Sequence, residues 1–187
     1  LEERKRGPTE EIDKLLKKGQ EILIQIEKDA IGTKGPRLTQ YISIPGRFLV
    51  LMPLQKRHIG ISKKIEGEER QKLKKALGEL RIPNDVGLIV RTAARGTTSR
   101  ELGRELKFLL KIWGRIRNFS NREKAPKLVY EEYDLILKIV RDLLTDEVSA
   151  LILDSKDEYR RVMKFLRMVL PSLRSKVKLY HGSKGLF

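Results

Sequence analysis

A cluster of residue types that suit phosphate follows a short apolar run in the middle of the sequence. Residues 87–90 are followed directly by Arg91, Thr92, Arg95 and Gly96. A guanidinium presents a planar fork that can bind two phosphate oxygens, and a hydroxyl and backbone N–H groups can supply the remaining donors. The cluster indicates a phosphate site at the end of a buried strand. Solvated arginines at a strand end are the alternative that these residues alone leave open.

The sequence contains few of the residue types that catalytic sites and metal sites usually require. The sequence has no Cys and only two His, His58 and His181, which excludes a Cys-based zinc site and disfavours a His-based triad. Residues 32–35, Gly-Thr-Lys-Gly, lack the full pattern of a nucleotide-binding P-loop. Four acidic residues show no spacing that gives them a shared face, so we interpret them as solvated surface: Asp134, Asp142, Asp146 and Asp154. We assign no catalytic residue and no metal ligand.

The charge of the chain indicates a polyanionic partner. Lys and Arg number 41 against 25 Asp and Glu, a net charge of +16 in 187 residues. The surplus is local, since residues 29–64 carry seven basic and one acidic side chain and residues 161–187 carry seven and none. The longest uncharged runs, residues 38–46 and 48–55, are too short to cross a bilayer, so we expect no transmembrane segment. The absence of Cys is typical of a cytoplasmic protein.

Apolar spacing predicts the elements that position the phosphate cluster. We predict strands over residues 21–27, 37–44, 47–52 and 86–90, with a tight turn at Pro45 and Gly46. Alternation of Ile22, Ile24 and Ile26 predicts one strongly buried face in the first strand. Residues 53–65 are predicted to form a loop.

Helical spacing is clearest in two segments. The first predicted helix covers residues 68–80, and the second starts at a capping box of Thr98 and Glu101. Residues 118–127 are predicted to form a linker. Beyond it the pattern alternates and predicts a small α/β unit, with strands over residues 128–132, 149–154 and 176–180 and helices over residues 133–144 and 156–170.

Three sequence blocks resemble the ribonuclease E/G family of endoribonucleases. They are residues 32–39 continuing into 42–53, residues 60–67, and residues 87–93, and they stand in family order at family spacing. Residues 176–180 and 185–187 resemble the segment that precedes the nuclease domain of the family. The resemblance covers residues 8–187.

The resemblance implies an α+β and α/β fold in three parts. Residues 1–40 would be the carboxyl-terminal part of an OB-type RNA-binding β-barrel, here only partial. Residues 41–127 would be a mixed α+β sensor of the RNA 5′ end. Residues 128–187 would be a small α/β domain similar to ribonuclease H, with a structural role.

The same resemblance implies a pocket for a 5′-monophosphate. Gly46 and Val50 would contribute backbone donors, and Lys63 a charge where Arg is usual in the family. Arg91 and Thr92 would make the principal phosphate contacts.

Two further lysines, Lys28 and Lys34, would hold the RNA backbone on the barrel remnant.

The implied function is RNA binding and 5′-monophosphate sensing within an endoribonuclease that cleaves single-stranded RNA in RNA processing and decay. The paired catalytic aspartates that hold magnesium and the Cys-containing zinc link between protomers would lie beyond Phe187. We therefore expect this chain to need no cofactor and to be inactive alone, whereas the full-length family enzyme would use magnesium and zinc and form a homo-oligomer. The alternative is a stand-alone, non-catalytic RNA-binding module.

The basic segments predict a salt-dependent affinity for RNA. The logarithm of the association constant should fall linearly with the logarithm of salt concentration, by roughly 0.7 for each phosphate neutralised on a single strand. Titration of a labelled single-stranded RNA at a series of KCl concentrations measures the slope. A flat response would show that the charge of +16 is not a nucleic-acid footprint.

Overall fold

The computed structural model describes residues 11–55 and 58–182, and these form a mixed α+β fold with several sheets and helices. The chain divides into two compact units, Leu1–Gln40 and Tyr41–Phe187. Residues 185–187, which carry part of the family resemblance, lie outside the described residues. No helix in the described part of the chain is long and apolar enough to cross a membrane.

The first unit contains a short helix and a two-stranded antiparallel sheet. Its elements are α1 (Ile12–Leu15), β1 (Gln25–Lys28) and β2 (Arg37–Thr39). The predicted buried strand is wrong, because Ile22, Ile24 and Ile26 are 41%, 41% and 57% exposed. A two-stranded sheet cannot enclose a core by itself. The described residues form no closed barrel.

The second unit begins with a four-stranded sheet in the order β3-β4-β6-β5. The strands are β3 (Ile44–Pro45), β4 (Leu49–Pro53), β5 (Ile59–Ile61) and β6 (Val86–Val90). β4 is antiparallel to both of its neighbours, and β5 runs parallel to β6. The β6 prediction is confirmed. The loop predicted over residues 53–65 is wrong in part, because a strand of three residues is too short to reveal its period and β5 forms by pairing with β6.

The second unit also contains two longer helices, α2 (Gly67–Gly78) and α3 (Ser99–Ser120). The predicted capping box of α3 is confirmed: Thr98 Oγ1 accepts from the Glu101 N–H at 3.3 Å, and Glu101 Oε2 accepts from the Thr98 N–H at 2.9 Å. α3 contacts both β4 and α2. Its apolar face is buried as its spacing predicts, through Leu102, Leu106, Leu109, Trp113 and Ile116.

The last part of the chain forms a helix followed by a strand–helix–strand unit. Its elements are α4 (Leu135–Leu143), β7 (Leu151–Leu153), α5 (Lys156–Val169) and β8 (Val177–Leu179). β7 and β8 are parallel, so α5 is the crossover between them. The strand predicted over residues 128–132 is wrong, because the sheet here is two-stranded and offers that segment no partner.

The core of the second unit predicts a sharp difference between two leucine substitutions. Leu88 of β6 is 0% exposed, so Leu88→Ala should lower the free energy of unfolding by about 2–5 kcal/mol. Leu143→Ala, at a site 64% exposed, should change it by less than about 0.5 kcal/mol. Urea denaturation of both variants and the wild type measures the difference. Equal losses would contradict this assignment of the core.

Candidate phosphate-binding site

Three chain segments meet at one edge of the four-stranded sheet. β4 is antiparallel to β6 and β5 is parallel to it, so the start of β4 lies at the same edge as the ends of β5 and β6. Backbone hydrogen bonds join the segments: the Arg91 N–H donates to the Phe48 carbonyl at 2.7 Å, and the Ser62 N–H donates to the Val90 carbonyl at 2.9 Å. The turn before β4, which we take as residues 45–49 and which includes the end of β3 and the start of β4, therefore lies beside the residue that follows β6.

This edge gathers most of the residues predicted for the phosphate pocket. Gly46 precedes β4, Lys63 follows β5, and Arg91 and Thr92 follow β6. Val50 lies within β4, opposite Ile89 in the β4–β6 register.

The two lysines predicted to hold the RNA backbone belong to the first compact unit. Lys28 ends β1, and the Lys34 N–H donates to the Ile31 carbonyl at 3.1 Å in the following turn. Both lysines are exposed. Their contacts with RNA stay a prediction.

Only one of the three guanidinium nitrogens of Arg91 donates hydrogen bonds to described residues. Its Nη1 donates to the Gly46 carbonyl and, at 2.8 Å, to Asp142 Oδ1. A guanidinium carries five N–H donors, and no described residue accepts a hydrogen bond from Nε or Nη2 of Arg91. The side chain is 31% exposed. Beside it Thr92 is exposed, and its hydroxyl makes no hydrogen bond to the described part of the chain.

Asp142 of α4 is itself fixed by a two-point ion pair. Arg141 donates from Nε to Oδ1 at 3.1 Å and from Nη2 to Oδ2 at 2.9 Å. Burial alone would raise the pKa of Asp142, but the hydrogen bonds from Arg141 and Arg91 outweigh it and hold the pKa below its usual range. The carboxylate is therefore ionised at neutral pH. Its contribution to stability is present above the ordinary carboxyl pKa and is lost as the pH falls through the lowered value.

Arg141 connects α4 to the turn before β4. It is 6% exposed, and its Nη1 donates to the Pro45 carbonyl and to Glu132 Oε1, both at 3.1 Å. Burial would lower the pKa of Arg141, but the hydrogen bonds to Asp142 and Glu132 raise it above its usual value. Charges thus alternate from Glu132 through Arg141 and Asp142 to Arg91.

The backbone N–H groups of the same turn bind a buried carboxylate. The N–H of Arg47 donates to Glu105 Oε1 at 2.6 Å, and those of Phe48 and Leu49 donate to Oε2 at 2.8 Å each. Glu105 is 2% exposed. Burial raises the pKa of Glu105, and the three N–H groups and the positive charge of Arg91 oppose that rise. Consecutive N–H groups directed at one anion form a binding concavity, which Glu105 of α3 occupies.

Gly46 is required by the closeness of this carboxylate. A Cβ at this position would lie 2.8 Å from both Cδ and Oε1 of Glu105. The Gly46 N–H donates to the Leu49 carbonyl at 2.7 Å within the turn. A phosphate that accepted from the Gly46 N–H would have to share this donor with the Leu49 carbonyl. The predicted contact between Gly46 and phosphate therefore stays a prediction.

The side chain of Arg47 joins the turn to the end of α4. It is 8% exposed, and its Nη1 donates to the Leu144 carbonyl. Its guanidinium lies 5.4 Å from the centre of the Phe48 ring. Burial lowers the pKa of Arg47, and the nearby carboxylates of Asp146 and Glu105 oppose that effect.

Sequence reasoning missed the residues that support the turn, although the spacing held a signal. Glu105 comes three residues after Leu102 and four before Leu109, which places it on the buried face of α3. Arg141 likewise comes four residues after Leu137 and is buried on α4. A charged residue in phase with an apolar stripe predicts a buried ionic contact.

The interpretation of the acidic residues as solvated surface is wrong for Asp142, which is half-buried, whereas Asp134, Asp146 and Asp154 are exposed. Asp142 pairs with two arginines. Asp134 caps α4 by accepting from the Leu137 N–H at 3.1 Å, and it pairs with Arg161. Among residues 11–55 and 58–182 no group of three or more His, Cys, Asp or Glu side chains could hold a metal ion.

Comparison with known proteins gives matches to ribonucleases E and G. The sequence model of the Ribonuclease E/G family matches residues 43–187. The chain is 41% identical over 173 residues to Ribonuclease E of Haemophilus influenzae, covering 92% of this chain and 18% of that protein. It is 34% identical over 187 residues to Ribonuclease G of Escherichia coli K12, covering 100% of this chain and 38% of that protein. Against Ribonuclease E of Escherichia coli K12 the identity is 39% over 181 residues, 94% of this chain and 17% of that protein. The chain thus spans well under half the length of these relatives.

The buried carboxylate predicts a specific loss of stability in Glu105→Gln. An amide keeps one acceptor oxygen, so at least one of the three turn N–H groups would lose its partner while remaining buried. The free energy of unfolding should fall by about 1–3 kcal/mol. Urea denaturation measures the change.

Glu131→Gln is the matched control. Glu131 is exposed and has no hydrogen bond or ion pair to the described residues, so this variant should stay within about 0.5 kcal/mol of the wild type. Equal behaviour of the two variants would mean that the turn does not depend on the carboxylate.

Proposed function

The chain belongs to the ribonuclease E/G family, and we propose that it is the part of such an endoribonuclease that binds single-stranded RNA and senses a 5′-monophosphate. The observation that carries the proposal is the partly engaged guanidinium of Arg91. One of its nitrogens is bound to Gly46 and Asp142, and its other donors remain available at an exposed sheet edge.

The donors at this edge suit one terminal phosphate. Nε and Nη2 of Arg91 lie on one side of a planar fork, which matches two phosphate oxygens. The exposed hydroxyl of Thr92 follows in the chain and supplies a further short donor. Lys63 adds positive charge from the end of β5.

Asp142 acts here as a positioning residue. Its carboxylate is held by the buried Arg141, and it holds Nη1 of Arg91 in turn. Arg91 is therefore oriented before a ligand arrives, which lowers the entropy lost on binding. A triphosphate end would fit poorly, because the additional phosphates would lack paired donors.

The division of the chain into parts is proposed from the family resemblance. We take residues 41–127 as the 5′ sensor and residues 128–187 as a structural domain similar to ribonuclease H, whose helix α4 supplies the residues that orient Arg91. Residues 1–40 are proposed to belong to an OB-type RNA-binding barrel, with Lys28 and Lys34 on the RNA backbone.

In the complete enzyme, a bound 5′ end would favour cleavage at a distant magnesium site, which is a coupling free energy between two sites. For that enzyme we propose magnesium-dependent catalysis, a zinc link between protomers and a homo-oligomeric state. We also propose that it acts in the cytoplasm, in the processing of ribosomal RNA and the decay of messenger RNA. Family membership does not favour the alternative, a stand-alone RNA-binding module.

The proposal predicts a loss in Arg91→Ala that depends on the RNA end. Binding of 5′-monophosphate RNA should weaken by about 1.5–3 kcal/mol, the range for a charge-assisted hydrogen bond. Binding of 5′-hydroxyl RNA should hardly change. The double variant with Thr92→Val should lose less than the sum of the two single losses, because both side chains serve one phosphate. Titration of both RNAs at one fixed salt concentration measures these values.

Arg122→Ala is the control, since it removes an exposed arginine that has no side-chain partner among the described residues. It should affect both RNAs alike and only slightly. Equal losses for the two RNAs in Arg91→Ala would reduce Arg91 to a general backbone contact and would support the stand-alone module.

A further inference from the structure

We propose that the outer face of α3 is a second RNA-binding surface, which holds the phosphodiester backbone independently of the 5′ end. The inference takes RNA as its ligand from the proposed function, but it uses none of the residues of the phosphate pocket. The surface consists of five cations, which we call the α3 basic stripe: Arg100, Arg104, Lys107, Lys111 and Arg115.

The spacing of the stripe places its members on one face of the helix. Successive members are four, three, four and four residues apart, and residues three and four apart are neighbours on a helix. At 1.5 Å per residue the stripe extends over about 22 Å. The buried residues of α3, including Glu105 and Leu109, fall on the opposite side.

No described carboxylate forms an ion pair with this stripe. None of its five side chains forms an ion pair or hydrogen bond within residues 11–55 and 58–182, whereas the side chains of Arg91, Arg141 and Arg161 all pair with carboxylates. The two acidic residues of α3 are engaged elsewhere, because Glu101 caps the helix and Glu105 binds the turn before β4. Like charges at these spacings repel one another and destabilise a helix. An anionic ligand would remove that repulsion.

Part of the stripe borders an open groove that a second segment completes. The groove has a volume of about 580 Å³ and lies between α3 and residues 79–81. Arg81 adds a cation and Glu79 a carboxylate from that segment to Arg100, Arg104 and Lys107 of the stripe, so the groove carries four cations against one anion. A Cβ at Gly103 would come within 3.2 Å of Leu80 Cδ2, so the absence of a side chain there lets residues 79–81 approach the helix.

The arrangement favours an RNA backbone over an acidic protein segment. The Cβ atoms of neighbouring stripe members lie about 5–6 Å apart, so the cations form an extended row, which suits a polymer that carries one charge in every unit. The groove lining contains no aromatic residue on which a base could stack. Contacts of this kind neutralise phosphates without reading sequence.

The test is a double variant, Lys107→Gln with Lys111→Gln, assayed with 5′-hydroxyl and 5′-monophosphate forms of one single-stranded RNA. Both RNAs should lose affinity equally, by roughly threefold to tenfold at physiological salt, and the salt slope should fall by roughly 1.4 for two lost phosphate contacts. Thermal unfolding should show no loss of stability, because Gln is a good helix former and the change removes like-charge repulsion.

The matched control is Lys156→Gln with Lys164→Gln on α5. Both lysines are exposed and form no ion pair with the described residues, and the loss of charge is the same. This control should keep most of the affinity and the slope.

Several results would overturn the inference. They are an unchanged affinity and slope in the α3 variant, an equal loss in the α5 control, and a loss confined to the 5′-monophosphate RNA. Weakened binding of a poly-glutamate peptide with unchanged RNA binding would also overturn it and would assign the stripe to an acidic protein. A wild-type chain that binds both RNAs equally contradicts 5′-end sensing alone, and the α3 variant then still tests the stripe against 5′-hydroxyl RNA.

Discussion

The buried carboxylate of Glu105 is the interaction on which the candidate site depends. Three consecutive N–H groups of the turn before β4 converge on it, and Gly46 leaves the space that it fills. An unpaired carboxylate in this position would be costly, and three unpaired N–H groups would be costly as well. Because each side satisfies the other, α3 and the turn have one mutual arrangement. That arrangement directs the carbonyls of Pro45 and Gly46 toward the arginines that follow.

The opposite side of the turn is held by alternating charges. Arg141 and Asp142 are neighbours on α4, yet they act on different partners: Arg141 on the Pro45 carbonyl and Asp142 on Arg91. The side chain of Arg141 is 7% exposed, so the removal of its carboxylate partner Asp142 would leave a buried charge with incomplete pairing. Arg91 is therefore oriented by Asp142, a helix residue 51 positions away in sequence. The same network joins the last part of the chain to the four-stranded sheet.

Some elements could be predicted because their signals are local. The capping box and apolar spacing of α3 lie within one segment, and the apolar run of β6 is bounded by turn residues. β5 could not be predicted from three residues, since only its pairing with β6 makes it a strand. The strand predicted over residues 128–132 does not form, because its sequence has the pattern of a strand but no described strand pairs with it. Ile22, Ile24 and Ile26 likewise have the alternation of a buried strand but are exposed. Burial of a strand face therefore also depends on residues that are distant in sequence.

The sequence by itself determined the family, the large positive charge, the long helix α3 and the presence of Arg91 and Thr92 at the end of a buried strand. These properties depend on residue types and on spacings within one segment, which are visible in the chain. Only the tertiary structure decided that Glu105 occupies the N–H groups of the turn, that Asp142 and Arg141 hold Arg91, and that the cations of α3 remain without partners among the described residues. The physical reason is that the strength of a charge–charge contact depends on burial and on distances of a few ångströms, and both are set by elements far apart in sequence.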